Sequence, residues 1–355
     1  MEKTLFLRII FKYFAMKKTL FFLMAIVALF SSCSTRVDLY TDHKDIPIIY
    51  GLIDYQKDTN YIRINRAFCG SNDNPINANE VALIADSCNY PGKLEARIIE
   101  LKRGYGNEYL PTGTVFILDT ITIHDKDSGA FYFPNQKVYF TTTATNGERF
   151  KRNTGNNIYR YRLEIYRDND TVSSETGIVG DDDFAINTTQ MTFVPDEIGE
   201  NRISFKTADN ASFYELSFQF NYEEIKGGHT YQKSVHYNLG SQMPDEQEHN
   251  TVYFSYPKSM LFNLLEKAIG ADTIGVTRHV RNCILSLSAG GDELYNFILV
   301  NNQGGGYSQT VPDYTNVKGG FGVFSSRLTL KKDDIKLAPR PTLIQLYGRW
   351  GFEQE

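Results

Sequence analysis

Alternation of apolar and polar residues with a period of two dominates this chain. In residues 214–223, five aromatic or aliphatic side chains alternate with five polar ones, and residues 159–165 repeat the pattern. Because successive side chains of a β-strand point to opposite faces of the sheet, this pattern predicts strands that are buried on one face. The other strand candidates are residues 48–54, 60–68, 94–101, 115–123, 131–133, 138–143, 202–206, 252–255, 283–289 and 297–301.

One segment has the spacing of a helix instead. Pro257 stands where a first helical turn tolerates proline, and Gly270 stands where a helix commonly ends. The apolar residues between them fall on one helical face, and they are Leu261, Leu264, Leu265, Ala268 and Ile269. We expect this amphipathic helix to pack against a sheet, and a partner-binding helix is the alternative.

Many short strands, frequent turn signals and little helix predict a mainly β protein. The expected architecture is two tandem β-sandwich domains, Ig-like or transthyretin-like, with the amphipathic helix in the second domain. Residues 177–183 (GIVGDDD) combine glycines with three consecutive acids, which indicates a short linker or solvated turn. We therefore predict an N-terminal β-sandwich domain at residues 45–178 and a C-terminal β-rich domain at residues 184–355.

The N-terminal region predicts an export signal. From Met16 the chain has two lysines, an apolar run over residues 20–30, and two serines directly before Cys33. A basic start, a short apolar core and a small-residue exit are typical of a secretory signal peptide, and an apolar core helix is the alternative. A cysteine at the cleavage point resembles a bacterial lipobox. Residues 1–32 are therefore predicted to be a lipoprotein signal peptide with Met16 as the true start, Cys33 the lipid-attachment residue, and residues 33–44 a tether.

The net charge of the chain limits which kinds of partner it can bind. The whole chain carries 37 basic and 42 acidic residues, for a net charge of −5. Residues 1–32 hold five of the basic residues and one acidic residue, so the mature chain has a net charge of −9. An acidic surface disfavours nucleic-acid binding and electrostatic adhesion to anionic lipid. We expect contact with the membrane through the N-terminal lipid, and no nucleic-acid partner.

Three cysteines follow Cys33, and they leave the disulfide state open. Cys69 and Cys88 flank a polar, asparagine-rich segment and could form a disulfide in an oxidising compartment. The alternative is that both of these residues and Cys283 are buried thiols, because free cysteine is among the most buried residue types.

The sequence contains only weak candidates for catalytic or metal-binding sites. His279 and Cys283 are four residues apart and could share a strand face, which is half of a metal site. Residues 125–129 (DKDSG) and 181–183 (DDD) could contribute oxygens to calcium, but DKDSG is more typical of a hairpin turn. The sequence has no HExxH, GxxxxGK[ST] or GxSxG motif. We predict no catalytic residue, no metal and no cofactor.

Three stretches resemble a family of Bacteroidota lipoproteins classed as domains of unknown function. They are IPIIYGLIDYQKDTNYIRINRAF, FYELSFQFNYEE and GGDELYNFILVNNQGGGYSQTVPDYTNVKGGFGVFSSR. The resemblance implies a lipid-anchored protein of the outer membrane and assigns no reaction. By analogy, it also implies an outer-membrane protein partner, such as a TonB-dependent transporter. Surface-exported members of that family often have an acidic cluster directly after the lipidated cysteine, whereas residues 34–38 hold one acid, Asp38, so the resemblance favours the periplasmic face over the cell surface.

Three short motifs also fit the resemblance to Bacteroidota lipoproteins. Asp-Thr-aliphatic triplets centred on Thr120, Thr171 and Thr273 resemble the O-glycosylation acceptor used in that phylum. Threonine beside isoleucine or valine is also ordinary strand composition.

These observations predict a non-catalytic binding or accessory module of the cell envelope, whose ligand the sequence does not identify. A structural or fimbria-associated anchor that assembles by strand exchange is the first alternative. An envelope hydrolase that uses acids from separate loops is the second.

Overall fold

The computed structural model describes residues 46–67, 83–84, 88–129, 132–167, 170–244, 250–270, 274–302 and 314–354. The prediction of a mainly β protein with several sheets and few helices is confirmed. The strands are β1 Pro47–Ile53, β2 Thr59–Arg66, β3 Glu95–Arg103, β4 Tyr109–Ile117, β5 Asp119–Ile123, β6 Gln136–Thr142, β7 Tyr159–Arg167, β8 Asp170–Gly177, β9 Gln190–Met191, β10 Glu200–Lys206, β11 Ala211–Lys226, β12 His229–Gln242, β13 Thr251–Pro257, β14 Val276–Gly291 and β15 Phe321–Leu337. The helices are α1 Thr143–Asn146, α2 Met260–Ile269, α3 Asp292–Asn302, a π-helical turn Pro339–Leu343 and α4 Ile344–Leu346.

The strands form three sheets. A nine-stranded sheet has the order β12-β11-β14-β15-β1-β2-β6-β5, and β9 pairs with the end of β15. A four-stranded sheet has the order β4-β3-β7-β8, and β10 pairs with β13 in a two-stranded sheet. The nine-stranded sheet therefore contains strands from both of the predicted domains, and the proposed division between them stays a prediction.

A parallel pair, β1 with β15, joins the two halves of the large sheet. In this register Ile49 lies opposite Gly322. Gly322 has a φ of +107°, and a Cβ atom built there would lie 1.9 Å from the carbonyl oxygen of Ile49. Only glycine can provide both this backbone conformation and this close approach. The parallel pairing thus depends on a residue without a side chain.

Two clusters of buried side chains cover one face of the nine-stranded sheet. The first packs β1 and β2 against the four-stranded sheet, and the second packs β11 and β14 against α2 and the β10–β13 pair. Phe324 belongs to the first cluster and Leu328 to the second. These two residues are four apart on β15, so their side chains point to the same face. The opposite face of the sheet is therefore left for other contacts.

Helix α2 confirms the predicted amphipathic helix, since Leu261, Leu265 and Ile269 are all buried in the second cluster. The expectation of a strand at residues 297–301 is wrong, because these residues lie in α3. Asp292 and Glu293 open that helix, where acids complement the positive end of its dipole. The aromatic and β-branched residues that follow have a high strand propensity. Their position directly after two acids indicates a helix instead.

Two further strand predictions are corrected. The single strand expected at residues 115–123 is two strands, β4 and β5, in different sheets, with the buried residue Leu118 between them. Residues 132 and 133 lie outside any strand. The segment 177–183 is also only partly a solvated turn: residues 177–180 are buried, whereas Asp182 and Asp183 are exposed.

Candidate functional site

A groove of about 1110 Å³ lies on the face of the nine-stranded sheet that the two cores leave uncovered. Strands β1, β2 and β15 supply its floor, and α3 supplies one side. Its volume is slightly above the roughly 300–1,000 Å³ that small-molecule sites occupy. The size and position of this groove make it the candidate functional site.

The floor of the groove is apolar. Leu52 on β1 and Val323 on β15 line it, and Leu294, Phe297 and Ile298 line it from α3. The three α3 residues have the i, i+3, i+4 spacing of one helical face. Leu294 and Val323 are buried, whereas Leu52, Phe297 and Ile298 are only half-buried and leave apolar surface open at the groove. Exposed apolar surface of this kind marks a candidate site for a ligand or partner.

Aromatic rings line the same face. The Tyr50 and Phe297 rings form a T-shaped pair with a centroid separation of 5.9 Å, and the Arg63 guanidinium lies 4.5 Å from the Tyr50 centroid. Tyr50 is therefore held between a helix and a neighbouring strand. Tyr61 also lines the groove and is 51% exposed, which leaves its ring free to contact a ligand.

The turn between β1 and β2 closes one end of the groove and is fixed by a buried amide. The Asn60 side chain accepts a hydrogen bond from the Asp54 N–H at 2.7 Å and donates to the Asp54 carbonyl at 3.2 Å. The Asp54 carboxylate accepts from the Gln56 N–H at 2.9 Å, and the Lys57 N–H donates to the Asp54 carbonyl at 3.2 Å. These bonds place the backbone of Lys57 at the groove.

Among the described residues, three cations and one carboxylate line the groove, although the whole chain is acidic. The cations are Lys57, Arg327 and Lys331, and the carboxylate is Asp54. Arg327 donates to the Ser288 hydroxyl at 3.1 Å. Neither lysine is in an ion pair within the described part of the chain. The groove therefore carries uncompensated positive charge beside its apolar floor.

Asp54 opposes this charge only in part. Burial raises the pKa of the Asp54 carboxyl, while the hydrogen bond from Gln56 and the charges of Lys57 and Arg327 act in the opposite direction. Desolvation is the largest of these effects, so Asp54 holds its proton more strongly than an exposed aspartate.

A polar contact fixes α3 to the sheet beneath it. One oxygen of Glu293 accepts hydrogen bonds from the Thr176 and Ser325 hydroxyls, both at 2.9 Å. Arg160 lies 3.7 Å from the other oxygen. Glu293 thereby connects the first turn of α3 to β8 and β15, and so determines where the apolar face of the helix stands.

A second concavity of about 530 Å³ contains the acidic run at residues 181–183. The Asp181 carboxylate accepts hydrogen bonds from the N–H groups of Asp183, Phe184 and Asp209 at 2.7–2.9 Å. Asp183 also pairs with Lys206 at 3.1 Å. These acids hold a loop together. No group of three or more His, Cys, Asp or Glu side chains is arranged to hold a metal within the described ranges.

A buried carboxylate lies apart from both concavities. Glu100 is 1% exposed and accepts hydrogen bonds from Thr112 at 2.9 Å, Lys151 at 3.1 Å and Tyr161 at 3.1 Å. Burial, with the adjacent Glu100 charge, raises the pKa of Tyr161, while a hydrogen bond with the Lys151 backbone acts against this. Its partners satisfy the carboxylate, which gives Glu100 a structural role in the first core.

Those residues singled out from the sequence that the structure describes do not line the groove. Thr120 is half-buried on β5 and Thr171 is exposed on β8. Cys88 is buried. The lipid-attachment residue Cys33, the cysteine Cys69 and the threonine Thr273 lie outside the described residues. The lipid anchor, the Cys69–Cys88 disulfide and the glycosylation of Thr120, Thr171 and Thr273 stay predictions.

The expectation that His279 and Cys283 share a strand face is wrong. Cys283 pairs with Phe220 and His279 pairs with Glu223, and a register shift separates the two pairs. Phe220 and Glu223 are three residues apart on β11, so their side chains point to opposite faces. This β-bulge puts Cys283 in the core and His279 on the other face of the sheet.

Sequence reasoning missed the groove because its floor comes from segments that are far apart in the chain. A usable signal was present at Ile48, Tyr50 and Leu52, which are apolar although they alternate with buried residues of β1. A strand that is apolar on both faces predicts a cover on both sides.

No protein-family model matches the chain, and no curated protein matches it. None of the helices in the described ranges is long and apolar enough to cross a membrane.

Proposed function

We propose that this protein is a non-catalytic, lipid-anchored binding module of the outer membrane, with the groove beside α3 as its ligand site. The observation that carries the binding role is an apolar floor on the uncovered face of a sheet, where Leu52, Phe297 and Ile298 are only half-buried. The anchor rests on the lipobox-like segment that ends at Cys33. The groove gives an accessory protein a means to hold a molecule near a membrane partner such as a transporter.

A neutral fluorescent probe tests the binding role. N-phenyl-1-naphthylamine fluoresces when it enters an apolar site, so the full chain carrying Cys33→Ala should give a saturable signal. Leu52→Asp places a carboxylate on the groove floor and should abolish the signal. Ile117→Asp introduces the same charge at an apolar side chain that is 54% exposed outside the groove, and should leave it unchanged.

A second groove variant keeps the test independent of folding. Tyr61→Ala removes an exposed ring and should weaken the signal without lowering the melting temperature by more than a few degrees. Equal probe binding by the parent, Leu52→Asp and Tyr61→Ala proteins would refute a ligand site at the groove.

Labelling tests the anchor separately. Radioactive palmitate should be incorporated into the full chain in a Gram-negative host, and Cys33→Ser should lose the label and leave the membrane fraction. A labelled Cys33→Ser protein would contradict the anchor.

A structural anchor is the second candidate, because edge strand β5 exposes apolar side chains. Ile121 is 46% exposed and Ile123 is 38% exposed, on the last strand of the nine-stranded sheet. Unprotected apolar edges promote strand addition. Light scattering should then show assembly that Ile121→Lys prevents, whereas a monomer at all concentrations would exclude self-assembly through this edge.

A further inference from the structure

We propose that the ligand of the groove is a small amphipathic anion, a molecule with an apolar body and one negatively charged group. This inference rests on the binding role proposed above and adds the chemical class of the ligand. Its basis is the juxtaposition of the apolar floor with the cationic side chains of Lys57, Arg327 and Lys331.

The apolar floor requires an apolar ligand body. Leu52, Phe297 and Ile298 are only half-buried at the groove, and a ligand that covers their apolar surface gains free energy in proportion to the area buried. A fully polar ligand would not gain this free energy of apolar burial. The exposed ring of Tyr61 adds a surface on which an apolar chain or a ring can lie.

The cations require the negative group. Lys57 lies on the turn at one end of the groove and Lys331 lies on β15, and neither is in an ion pair among the described residues. Arg327 is different, since its guanidinium lies 3.8 Å from a Glu215 oxygen and is partly neutralised. The two lysines are therefore the groups whose charge is available to a ligand.

The charge of the lining argues against a cationic ligand. Among the described lining residues, three cations exceed one carboxylate, Asp54, in a chain with a net charge of −5. A ligand cation would meet Asp54 but would be repelled by the two unpaired lysines, Lys57 and Lys331. A ligand anion has the reverse balance, because Lys57 and Lys331 attract it and Asp54 alone among the described lining residues repels it.

A matched pair of probes isolates the anionic group. 1-Anilinonaphthalene-8-sulfonate has the ring system of N-phenyl-1-naphthylamine plus one sulfonate. We expect the sulfonate probe to bind the Cys33→Ala full chain at least about fivefold more tightly than the neutral probe. One charge pair at contact distance in water changes a dissociation constant by about this factor. In 1 M NaCl the preference should fall to about twofold or less, because the Debye length shrinks to about 3 Å.

Charge-neutral variants locate the effect. The double variant Lys57→Gln with Lys331→Gln should weaken binding of the sulfonate probe about tenfold and change binding of the neutral probe less than twofold. Lys233→Gln with Lys267→Gln removes the same charge outside the groove and should change neither. If the neutral probe binds but no sulfonate preference appears, the ligand class is wrong and the binding role survives. If neither probe responds to Leu52→Asp, the binding role itself fails.

A bilayer surface is the other source of such anions, and a vesicle arm distinguishes it. The same protein should bind the monomeric sulfonate probe without floating with vesicles that contain phosphatidylglycerol. Flotation that needs Lys57 and Lys331, without binding of the free probe, would overturn the proposal in favour of a lipid surface.

Discussion

The Arg278 guanidinium and the Glu224 carboxylate form a buried ion pair that also holds the C-terminal end of the chain. Two nitrogens of Arg278 lie 2.9 and 2.6 Å from one Glu224 oxygen, and the side chains are 2% and 16% exposed. The same guanidinium donates to the Trp350 carbonyl, and the Arg278 backbone bonds to Gly351 and Glu353. The pair therefore closes residues 350–353 against β14.

Removing the arginine should cost stability because it leaves the Glu224 charge without its partner. We expect Arg278→Met to lower the free energy of unfolding by about 3–5 kcal/mol. Urea denaturation followed by tryptophan fluorescence measures this, since Trp350 is the only tryptophan and lies beside the pair.

An exposed ion pair is the matched control for this substitution. Lys93 and Asp119 lie 2.8 Å apart with side chains that are 47% and 61% exposed. Lys93→Met should cost at most about 1 kcal/mol. Similar losses for the two variants would show that burial of Arg278 has no energetic consequence.

The second prediction concerns Gly322, where β1 and β15 approach each other closely. Alanine there must adopt a φ of +107° and also displace the carbonyl of Ile49. Gly106→Ala is the control, because Gly106 has a φ of +90° with open space around it. We expect a loss of about 1 kcal/mol for Gly106→Ala from backbone strain alone, and at least about 3 kcal/mol for Gly322→Ala. Thermal denaturation of both variants checks this, and equal losses would contradict the close approach.

How far the fold could be predicted depends on how each strand is buried. Strand β11 is buried on one face, so its residues alternate and the sequence predicts it. Strand β12 lies at a sheet edge and is exposed on most of both faces, so its composition resembles a loop. Strand β15 buries the serines Ser325 and Ser326, whose hydroxyls bond to partners far along the chain. Local apolar periodicity cannot detect such strands.

The groove could not be predicted for a related reason. Leu52 and Val323 come together only because β1 pairs in parallel with β15, across more than two-thirds of the chain. The sequence pattern predicts a strand at Phe297, whereas its helical conformation is what brings it against Tyr50. The propensities of single residues predict neither the parallel pairing of β1 with β15 nor the contact between α3 and Tyr50.

Glu293 carries the third prediction, because it fixes α3 at the groove. Glu293→Ala removes the acceptor of two hydroxyl hydrogen bonds and should lower the free energy of unfolding by about 1–3 kcal/mol. Hydrogen exchange should become faster across α3. Glu266→Ala, at an exposed acid in α2, should change neither quantity appreciably. Unchanged exchange in α3 after Glu293→Ala would show that other contacts hold the helix.

Cys283 should be chemically inert in the folded protein. The side chain is 1% exposed, and burial raises the pKa of its thiol to about 12. Because the thiolate is the reactive form, iodoacetamide at pH 8 should not modify Cys283 until a denaturant unfolds the chain. Peptide mass spectrometry of native and denatured samples measures this. Rapid modification of the native protein would mean that β14 opens easily.

Alkaline pH should destabilise the protein through its buried tyrosines, and Tyr214 is the clearest case. Burial is the main effect that raises its pKa, to about 12, although its hydroxyl accepts from the Ala208 N–H at 2.8 Å. In the unfolded chain a tyrosine ionises near pH 10, so the stabilising contribution is complete below pH 10 and is lost between about pH 10 and 12. Over that window Tyr214→Phe should reduce the fall in unfolding free energy by up to about 1.4 kcal/mol per pH unit. Urea denaturation at each pH measures how steeply the free energy of unfolding falls. Tyr105→Phe, at a fully exposed ring, is the control and should keep the slope of the parent protein. Identical slopes for the two variants would place the Tyr214 hydroxyl in contact with water.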